Sequence, residues 1–302
     1  MRVGFGLPVS GSWATPDLLA EVAVEAERLD YDSLWTFQRL LVGEDQAVDP
    51  VYRSVLDPLV ALTFAAARTS RIRLGVAVVN LPFVSPAVLA KQVSTLDVLS
   101  GGRVDLGLGV GWSPVEYAAT GAVAERRVAR TREYVAVLRA LWADGVSAFD
   151  GEFYTVPPSR MEPRPVQRPG VPILLGGAVP AAIRRAGEIG DGWVSRSATN
   201  LSDISSDVAL VQEGAASSGR ASPRVVCRGV LKLTDLELDA DGRPPLSGTF
   251  EQIREGTAWL ATQGVTEIFY DLNWDPLITL EPAAARDRAL EILHNLAPVG
   301  LG

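Results

Sequence analysis

Residues 101–112 read GGRVDLGLGVGW, and the rest of the chain can be interpreted outward from this stretch. A glycine pair and a short apolar run lead into glycines at alternate positions, Gly107, Gly109 and Gly111, followed by Trp112. Glycine weakens the interior of a strand unless another backbone or a ligand must come close to it. The stretch therefore predicts a strand that either packs tightly inside a barrel or ends beneath a flat ligand.

Strand-like runs alternate with helical periodicity on both sides of this strand. RVGFGLPV, YDSLWTF and RIRLGVAVV precede it, and VPILL, GDGWV, RVVCRGVLKL and TEIFYDL follow it. Amphipathic segments separate these runs, and one of them opens with a capping box at Thr249 and Gln252. Eight such units predict the α/β class, a (β/α)8 TIM barrel. We expect one domain over residues 1–302, with an irregular insertion at 144–170 after the fourth unit.

A doubly wound sheet is the competing fold, with GLGVGW as its nucleotide-binding loop. That fingerprint requires its last glycine to open a helix. Ser113 and Pro114 follow Gly111 instead, and the helical pattern resumes only near residue 125. The barrel is the preferred prediction.

Composition excludes several classes of function. The 28 basic and 36 acidic residues give a net charge of −8 without a basic run, so we expect no nucleic-acid or anionic-membrane partner. The apolar stretches are too short for a membrane span and no signal peptide is recognisable, which predicts a cytoplasmic protein. The single cysteine, Cys227, is expected in the core. The single histidine, His294, near the C-terminus, argues against a catalytic triad or a His-rich metal site, and no metal is expected.

Three stretches in order resemble the luciferase-like monooxygenase superfamily: LDVLSGGRVDLGLGVGWSPVEYAATG, LRALWADGVSAFDGEFYTV, and VPILLGG with AGEIGDGWV. The resemblance spans about residues 2–195. It is closest to the actinobacterial oxidoreductases that use the deazaflavin coenzyme F420. It implies a cofactor at the C-terminal mouth of the barrel, where barrels in general place their sites.

The resemblance also implies which residues hold the cofactor. Gly109, Val110 and Gly111 would border the ring, and a non-prolyl cis peptide at Ala77–Val78 would support one face of it. The cofactor phosphate would lie on Gly176, Gly177 and Ala178, at a helix N-terminus; a tight strand-to-helix turn is the alternative there. Gln38 and Asn80 complete the predicted cofactor-binding set.

The loop GVGWSP carries no positive charge, whereas FMN-using relatives often have a basic residue there. This favours F420 and implies hydride transfer between the reduced deazaflavin and a small organic substrate. An FMN-dependent monooxygenase, served by a separate cofactor-reducing enzyme, and a non-catalytic flavin-binding barrel stay open. A homodimer is expected.

This chain departs from the family pattern at the expected acid–base residues. Gln38 and Arg39 stand where many F420-dependent relatives have Asp-His, and Trp112 stands where some have glutamate. We predict an electrostatic role for Arg39 and a proton-donor role for Glu116. Trp112 and Asp271 are predicted to line the substrate pocket. A surface arginine and a core tryptophan are the alternatives for Arg39 and Trp112.

Overall fold

The computed structural model describes residues 1–298, and its centre is a closed barrel of eight parallel strands, which confirms the predicted (β/α)8 fold. The barrel strands are β1 (Arg2–Gly6), β2 (Ser33–Thr36), β3 (Arg73–Asn80), β4 (Val104–Gly109), β7 (Ile173–Gly176), β8 (Gly192–Val194), β9 (Arg224–Gly229) and β12 (Glu267–Tyr270). They follow one another around the barrel in the order β1-β12-β9-β8-β7-β4-β3-β2. Two small sheets stand outside it, an antiparallel hairpin of β5 (Ser147–Asp150) and β6 (Thr155–Ser159), and the pair β10 (Lys232–Leu233) and β11 (Ser247–Gly248).

Nine helices accompany these strands within residues 1–298. They are α1 (Pro16–Arg28), α2 (Pro58–Ala66), α3 (Pro86–Ser100), α4 (Pro114–Thr120), α5 (Arg127–Trp142), α6 (Pro180–Ile189), α7 (Ile204–Ser217), α8 (Phe250–Thr262) and α9 (Pro282–Asn295). The predicted capping box at Thr249 and Gln252 is present at the start of α8. No helix of the described chain is both long and apolar enough to cross a membrane.

The helix α4 differs from the prediction that helical structure resumes only near residue 125. It begins at Pro114, soon after the glycine-rich strand, and ends before Gly121, which has a φ of 65°. Proline is favoured in the first turn of a helix because its φ already fits and its missing N–H is not needed there. A seven-residue helix is too short for its apolar periodicity to be read from the sequence.

The glycines of the barrel interior make room for their neighbours. A Cβ atom at Gly107 would overlap the carbonyl oxygen of Val76, and one at Gly75 would overlap the ring of Trp35. The ring of Trp35 in turn stacks on that of Phe269, with 5.0 Å between the centroids and 16° between the planes. At Gly107, therefore, the packing explanation is correct. The predicted burial of Cys227 in the core is also confirmed.

Below this stacked layer, a cluster of charges occupies the N-terminal end of the barrel. Asp105 of β4 is fully buried and accepts two hydrogen bonds from Arg73, each of 2.8 Å. Arg224 of β9 reaches the same carboxylate and also donates to Glu267 at 2.8 Å. Burial alone would raise the pKa of Asp105, but the hydrogen bonds and charges of Arg73 and Arg224 outweigh it and hold that pKa below its ordinary value.

We expect Asp105→Asn to lower the free energy of unfolding by about 3–5 kcal/mol, because it leaves two inward-facing arginines without their shared carboxylate. Since the folded-state pKa of Asp105 is depressed, its contribution is present above the unfolded pKa of about 3.9 and is lost as pH falls through the folded value. Urea denaturation at neutral and acidic pH measures both effects. Below about pH 4, the free energy of unfolding of the variant should depend less steeply on pH than that of the parent protein.

The matched control for this variant is Asp30→Asn, at a carboxylate that pairs with Arg71 on the surface, where both side chains are more than half exposed. Exposed pairs contribute about 0–1 kcal/mol. Equal losses of stability in the two variants would contradict the structural role of the buried cluster.

Candidate functional site

A cavity of about 250 Å³ opens at the C-terminal ends of the barrel strands. All ten residues predicted to bind the cofactor line this one cavity: Gln38, Ala77, Val78, Asn80, Gly109, Val110, Gly111, Gly176, Gly177 and Ala178. Trp112, predicted to wall the substrate pocket, lines it too. The tertiary structure therefore brings together residues at the C-terminal ends of four barrel strands, β2, β3, β4 and β7. Their contacts with a cofactor stay a prediction.

The end of β3 forms a bulge in the floor of this cavity. The pairing of β3 with β4 shifts register between Val76 and Val79, and the Ala77–Val78 peptide is cis, as the resemblance implies. The side-chain oxygen of Gln38 accepts a hydrogen bond of 2.8 Å from the backbone N–H of Asn80, which ties β3 to the segment after β2.

Neighbouring side chains lie against Gly109, at the end of β4, and against Gly111, just after it. A Cβ atom at Gly109 would overlap the side chain of Val78, and one at Gly111 would come within 2.8 Å of the ring of Phe83. Gly111 also has a φ of 71°, which L side chains rarely adopt. Neighbouring side chains, and not only a ligand, therefore require glycine here.

The loop between β7 and α6 forms a second side of the cavity. The carbonyl oxygen of Gly177 accepts a hydrogen bond of 3.0 Å from the indole of Trp193, and a Cβ atom at Gly177 would lie 2.7 Å from that of Ala182. The turn is therefore tight at Gly177. Its start at Gly176 is open to the cavity, and α6 has no side-chain cap at its N-terminus.

Arg196 is a positively charged residue at the rim of the cavity, and sequence analysis did not identify it. It lines the cavity together with Ser195 and Ser197, in the segment that follows β8. Its position directly after a barrel strand is a signal that could have identified it, because side chains there face the C-terminal mouth.

Four aromatic side chains form what we call the aromatic wall: Phe37, Tyr52, Trp112 and Trp274. Their ring centroids are 5.0 Å apart for Phe37 and Trp274, 6.1 Å for Tyr52 and Trp274, and 5.9 Å for Tyr52 and Trp112. Trp112 is 57% exposed, which excludes the alternative that it is a core tryptophan. Of the four, sequence analysis identified only Trp112.

Arg39 and Glu116 lie behind the aromatic wall and outside the lining of the cavity. They are buried and form an ion pair of 3.5 Å, and Glu116 also accepts a hydrogen bond of 2.7 Å from the backbone of Leu40. The guanidinium of Arg39 lies 4.5 Å from the ring centroid of Trp112. A surface position for Arg39 is thereby excluded. Direct catalytic roles for this pair stay predictions, and the placement favours an indirect role through Trp112.

Asp271, predicted to line the substrate pocket, lies beneath the lining instead. Its carboxylate accepts hydrogen bonds from the backbone and side-chain N–H groups of Asn273, which turn it inward, so that a Cβ atom at Gly6 would lie 2.8 Å from it. Burial raises the pKa of Asp271 although Arg228 opposes the shift. Arg228, which sequence analysis missed, is the residue that reaches the cavity from this region.

Groups suited to acid–base chemistry or metal binding are scarce at this cavity. Its lining among residues 1–298 includes no carboxylate, histidine or lysine. No three His, Cys, Asp or Glu side chains of the described chain gather closely enough to hold a metal ion. His294 lies in α9, where its Nε2 is 2.7 Å from a carboxylate oxygen of Glu25.

Two relatives illustrate the similarity of the sequence. An uncharacterized protein of Mycobacterium tuberculosis is 38% identical over 195 residues, which cover 64% of this chain and 68% of that protein. An F420-dependent glucose-6-phosphate dehydrogenase of Kineococcus radiotolerans is 33% identical over 225 residues, which cover 73% of this chain and 64% of that enzyme.

Solved structures share the fold over the whole chain. The monooxygenase RslO1 from Streptomyces bottropensis superposes with a TM-score of 0.79 at 22% identity, covering 99% of each chain. An F420-dependent secondary alcohol dehydrogenase in complex with an F420–acetone adduct gives a TM-score of 0.76 at 18% identity, covering 98% of each chain. At these identities the likeness concerns the fold alone.

The family itself is decided by a broader match. The sequence profile described as "luciferase-like monooxygenase" matches residues 3–243 of the 302, a range that includes the bulge, the glycine-rich strand and the loop before α6. The chain belongs to the luciferase-like monooxygenase family.

Proposed function

We propose that this protein is an F420-dependent oxidoreductase, which transfers a hydride between the reduced deazaflavin and a small organic substrate. The observation that carries the proposal is the convergence of all ten predicted cofactor-binding residues on the lining of one cavity. The similarity to an F420-dependent glucose-6-phosphate dehydrogenase supports the choice of cofactor.

The residues present fit a cofactor with a flat ring and an anionic tail. The bulge at Ala77–Val78 and the loop after β4 offer an apolar floor for the ring. Toward the tail, the uncapped N-terminus of α6 presents the positive end of its dipole, and Arg196 adds a formal charge on the same cavity. The deazaflavin supplies a hydride when bound, and the chain supplies its orientation and the exclusion of water.

The lining also favours one direction of reaction. Oxidation of an alcohol requires a group that accepts its proton, and the described lining offers no carboxylate or histidine for that purpose. Reduction of the substrate can take its proton from water. We therefore favour hydride transfer to the substrate, with a separate enzyme regenerating the reduced cofactor.

An FMN-dependent monooxygenase is the second candidate, and the likeness of the fold to the monooxygenase RslO1 favours it. Against it stands the stretch from Gly109 to Pro114, which carries no basic residue where FMN users often place one. The scarcity of acid–base groups keeps a third reading open, a flavin-binding barrel without catalysis.

The first prediction concerns the choice of cofactor. We expect the purified protein to bind F420 at least tenfold more tightly than FMN, a difference of about 1.4 kcal/mol. Titration calorimetry with each cofactor measures this. Tenfold tighter binding of FMN would overturn the assignment, and absence of hydride transfer from reduced F420 to every acceptor tried would favour the non-catalytic barrel.

The second prediction concerns the phosphate. Ala178→Asp should weaken cofactor binding at least tenfold, because its carboxylate would repel the anionic tail at the N-terminus of α6. An acidic residue there is favourable for the helix itself, so the melting temperature should not fall. Ala178 is exposed, which makes it a cleaner position than the crowded Gly177.

The neutral variant Ala178→Asn, of nearly the same shape, is the control for this charge. It should bind the cofactor within about threefold of the parent protein, since threefold corresponds to only about 0.7 kcal/mol. If the asparagine variant binds as weakly as the aspartate variant, shape and not charge is responsible, and the phosphate site is refuted.

The third prediction concerns Arg39, which we propose acts by positioning Trp112. Arg39→Lys keeps the charge but loses the planar group that stacks on the aromatic ring, so KM should rise several-fold while kcat changes less. In Arg39→Ala the buried Glu116 also loses its partner, so kcat/KM should fall further. Steady-state kinetics of the parent protein and both variants at one neutral pH measure these constants.

Arg126→Lys provides the matched control for Arg39. Arg126 also lies against an aromatic ring, 4.9 Å from the centroid of Phe153, but at the surface with its side chain 58% exposed. Its replacement should leave KM and kcat unchanged. Equal kinetic constants for the parent protein and both Arg39 variants would mean that Arg39 has no part in the site.

A further inference from the structure

Arg228 lines the cavity from the interior of the barrel. It belongs to β9, which stands on the opposite side of the barrel from β3, and its side chain crosses the interior so that Nη2 donates a hydrogen bond to the carbonyl oxygen of Ala77. The residue is only 7% exposed, yet it contributes to the lining of the cavity.

The hydrogen-bonding capacity of this guanidinium is largely unused. Of its five N–H donors, only the one on Nη2 finds an acceptor within residues 1–298, and Nε is fully buried without a partner. Asp271 faces Nε with its Oδ2 at 3.5 Å, an ion pair without a hydrogen bond, while its Oδ1 accepts both N–H groups of Asn273. A buried donor left unpaired costs about 1–3 kcal/mol, so the arrangement is suited to an acceptor that arrives with a ligand.

The surroundings of this cation indicate the shape of that ligand. Its guanidinium carbon lies 4.6 Å from the ring centroid of Trp274 and 5.6 Å from that of Phe37, both members of the aromatic wall. Aromatic rings pair with other planar rings in offset-stacked or edge-to-face arrangements, so the wall suits a planar ligand.

We propose that Arg228 and the aromatic wall form an anchoring site for a planar, conjugated ligand that carries a negatively charged oxygen at its edge. A carboxylate or an enolate oxygen would accept the free N–H groups of Arg228, while the rings of the wall hold the plane of the ligand. The proposal rests on the proposed function only in taking this cavity as the reaction site.

The charged oxygen that Arg228 binds could belong to the substrate or to the ring of the cofactor. We would therefore titrate the cofactor-free protein with three probes: 2-naphthoate, the neutral 2-naphthalenemethanol, and 8-hydroxy-5-deazariboflavin, which has the ring with an ionisable oxygen at its edge but no phosphate. Quenching of tryptophan fluorescence and calorimetry report binding without any turnover. The parent protein should bind 2-naphthoate, or the deazaflavin ring, at least tenfold more tightly than 2-naphthalenemethanol, which is about 1.4 kcal/mol.

Two variants separate binding from folding. Arg228→Lys keeps a charge but loses the planar fork, and the double variant Arg228→Met with Asp271→Asn removes both buried charges together, so neither is left unpaired. Arg126→Met, at the surface and outside the lining of the cavity, is the control. Melting temperatures show that each variant is folded before it is titrated.

The results of these titrations either identify the molecule that supplies the charged oxygen or refute the anchoring site at Arg228. A tenfold or larger loss of 2-naphthoate affinity in both Arg228 variants, with 2-naphthalenemethanol unchanged, assigns the anchored oxygen to the substrate. The same loss confined to 8-hydroxy-5-deazariboflavin assigns it to the cofactor ring. Unchanged affinities for 2-naphthoate and for this deazaflavin in both Arg228 variants, or an equal loss of 2-naphthoate affinity in Arg126→Met, overturn the proposal. None of these results depends on whether F420 or FMN binds more tightly, so the two proposals can fail separately.

Discussion

Two arginine side chains, four residues apart on one strand, fill the interior of the barrel at its two ends. Arg224 and Arg228 of β9 both point inward, because side chains at even spacing along a strand share one face. Between them lies the apolar layer in which Trp35 stacks on Phe269. A buried arginine therefore lies at each end of the barrel interior, and the two arginines have different partners.

Because their partners differ, we assign Arg224 to the stability of the barrel and Arg228 to ligand binding. Arg224 shares Asp105 and Glu267 with other cations at the N-terminal end, so its buried charge is compensated within the protein. At the C-terminal end Arg228 has one carboxylate at 3.5 Å and one backbone acceptor. An unpaired buried donor is costly, and the ligand-binding role that we propose for Arg228 would supply the missing acceptor.

The residues behind the cavity illustrate how this chain replaces the usual acid–base groups of its family. Arg39 stands where many F420-dependent relatives have histidine, but it faces Glu116 and the ring of Trp112 and not the cavity. We propose that its charge positions Trp112 in the aromatic wall. The chemistry of the cavity would then depend on the bound cofactor and on Arg228, which agrees with a reaction that needs no strong base.

Local patterns in the sequence determined the alternation of strands and helices, the barrel, the glycine-rich strand, and the ten lining residues that follow family motifs. These features depend on neighbours along the chain, or on motifs whose order is visible in it. The aromatic wall, the burial of Arg39 and Asp271, and the unpaired donors of Arg228 were decided only by the tertiary structure. The physical reason is that these contacts join side chains from opposite strands and distant loops, such as Arg228 of β9 and Ala77 of β3, which are 151 residues apart.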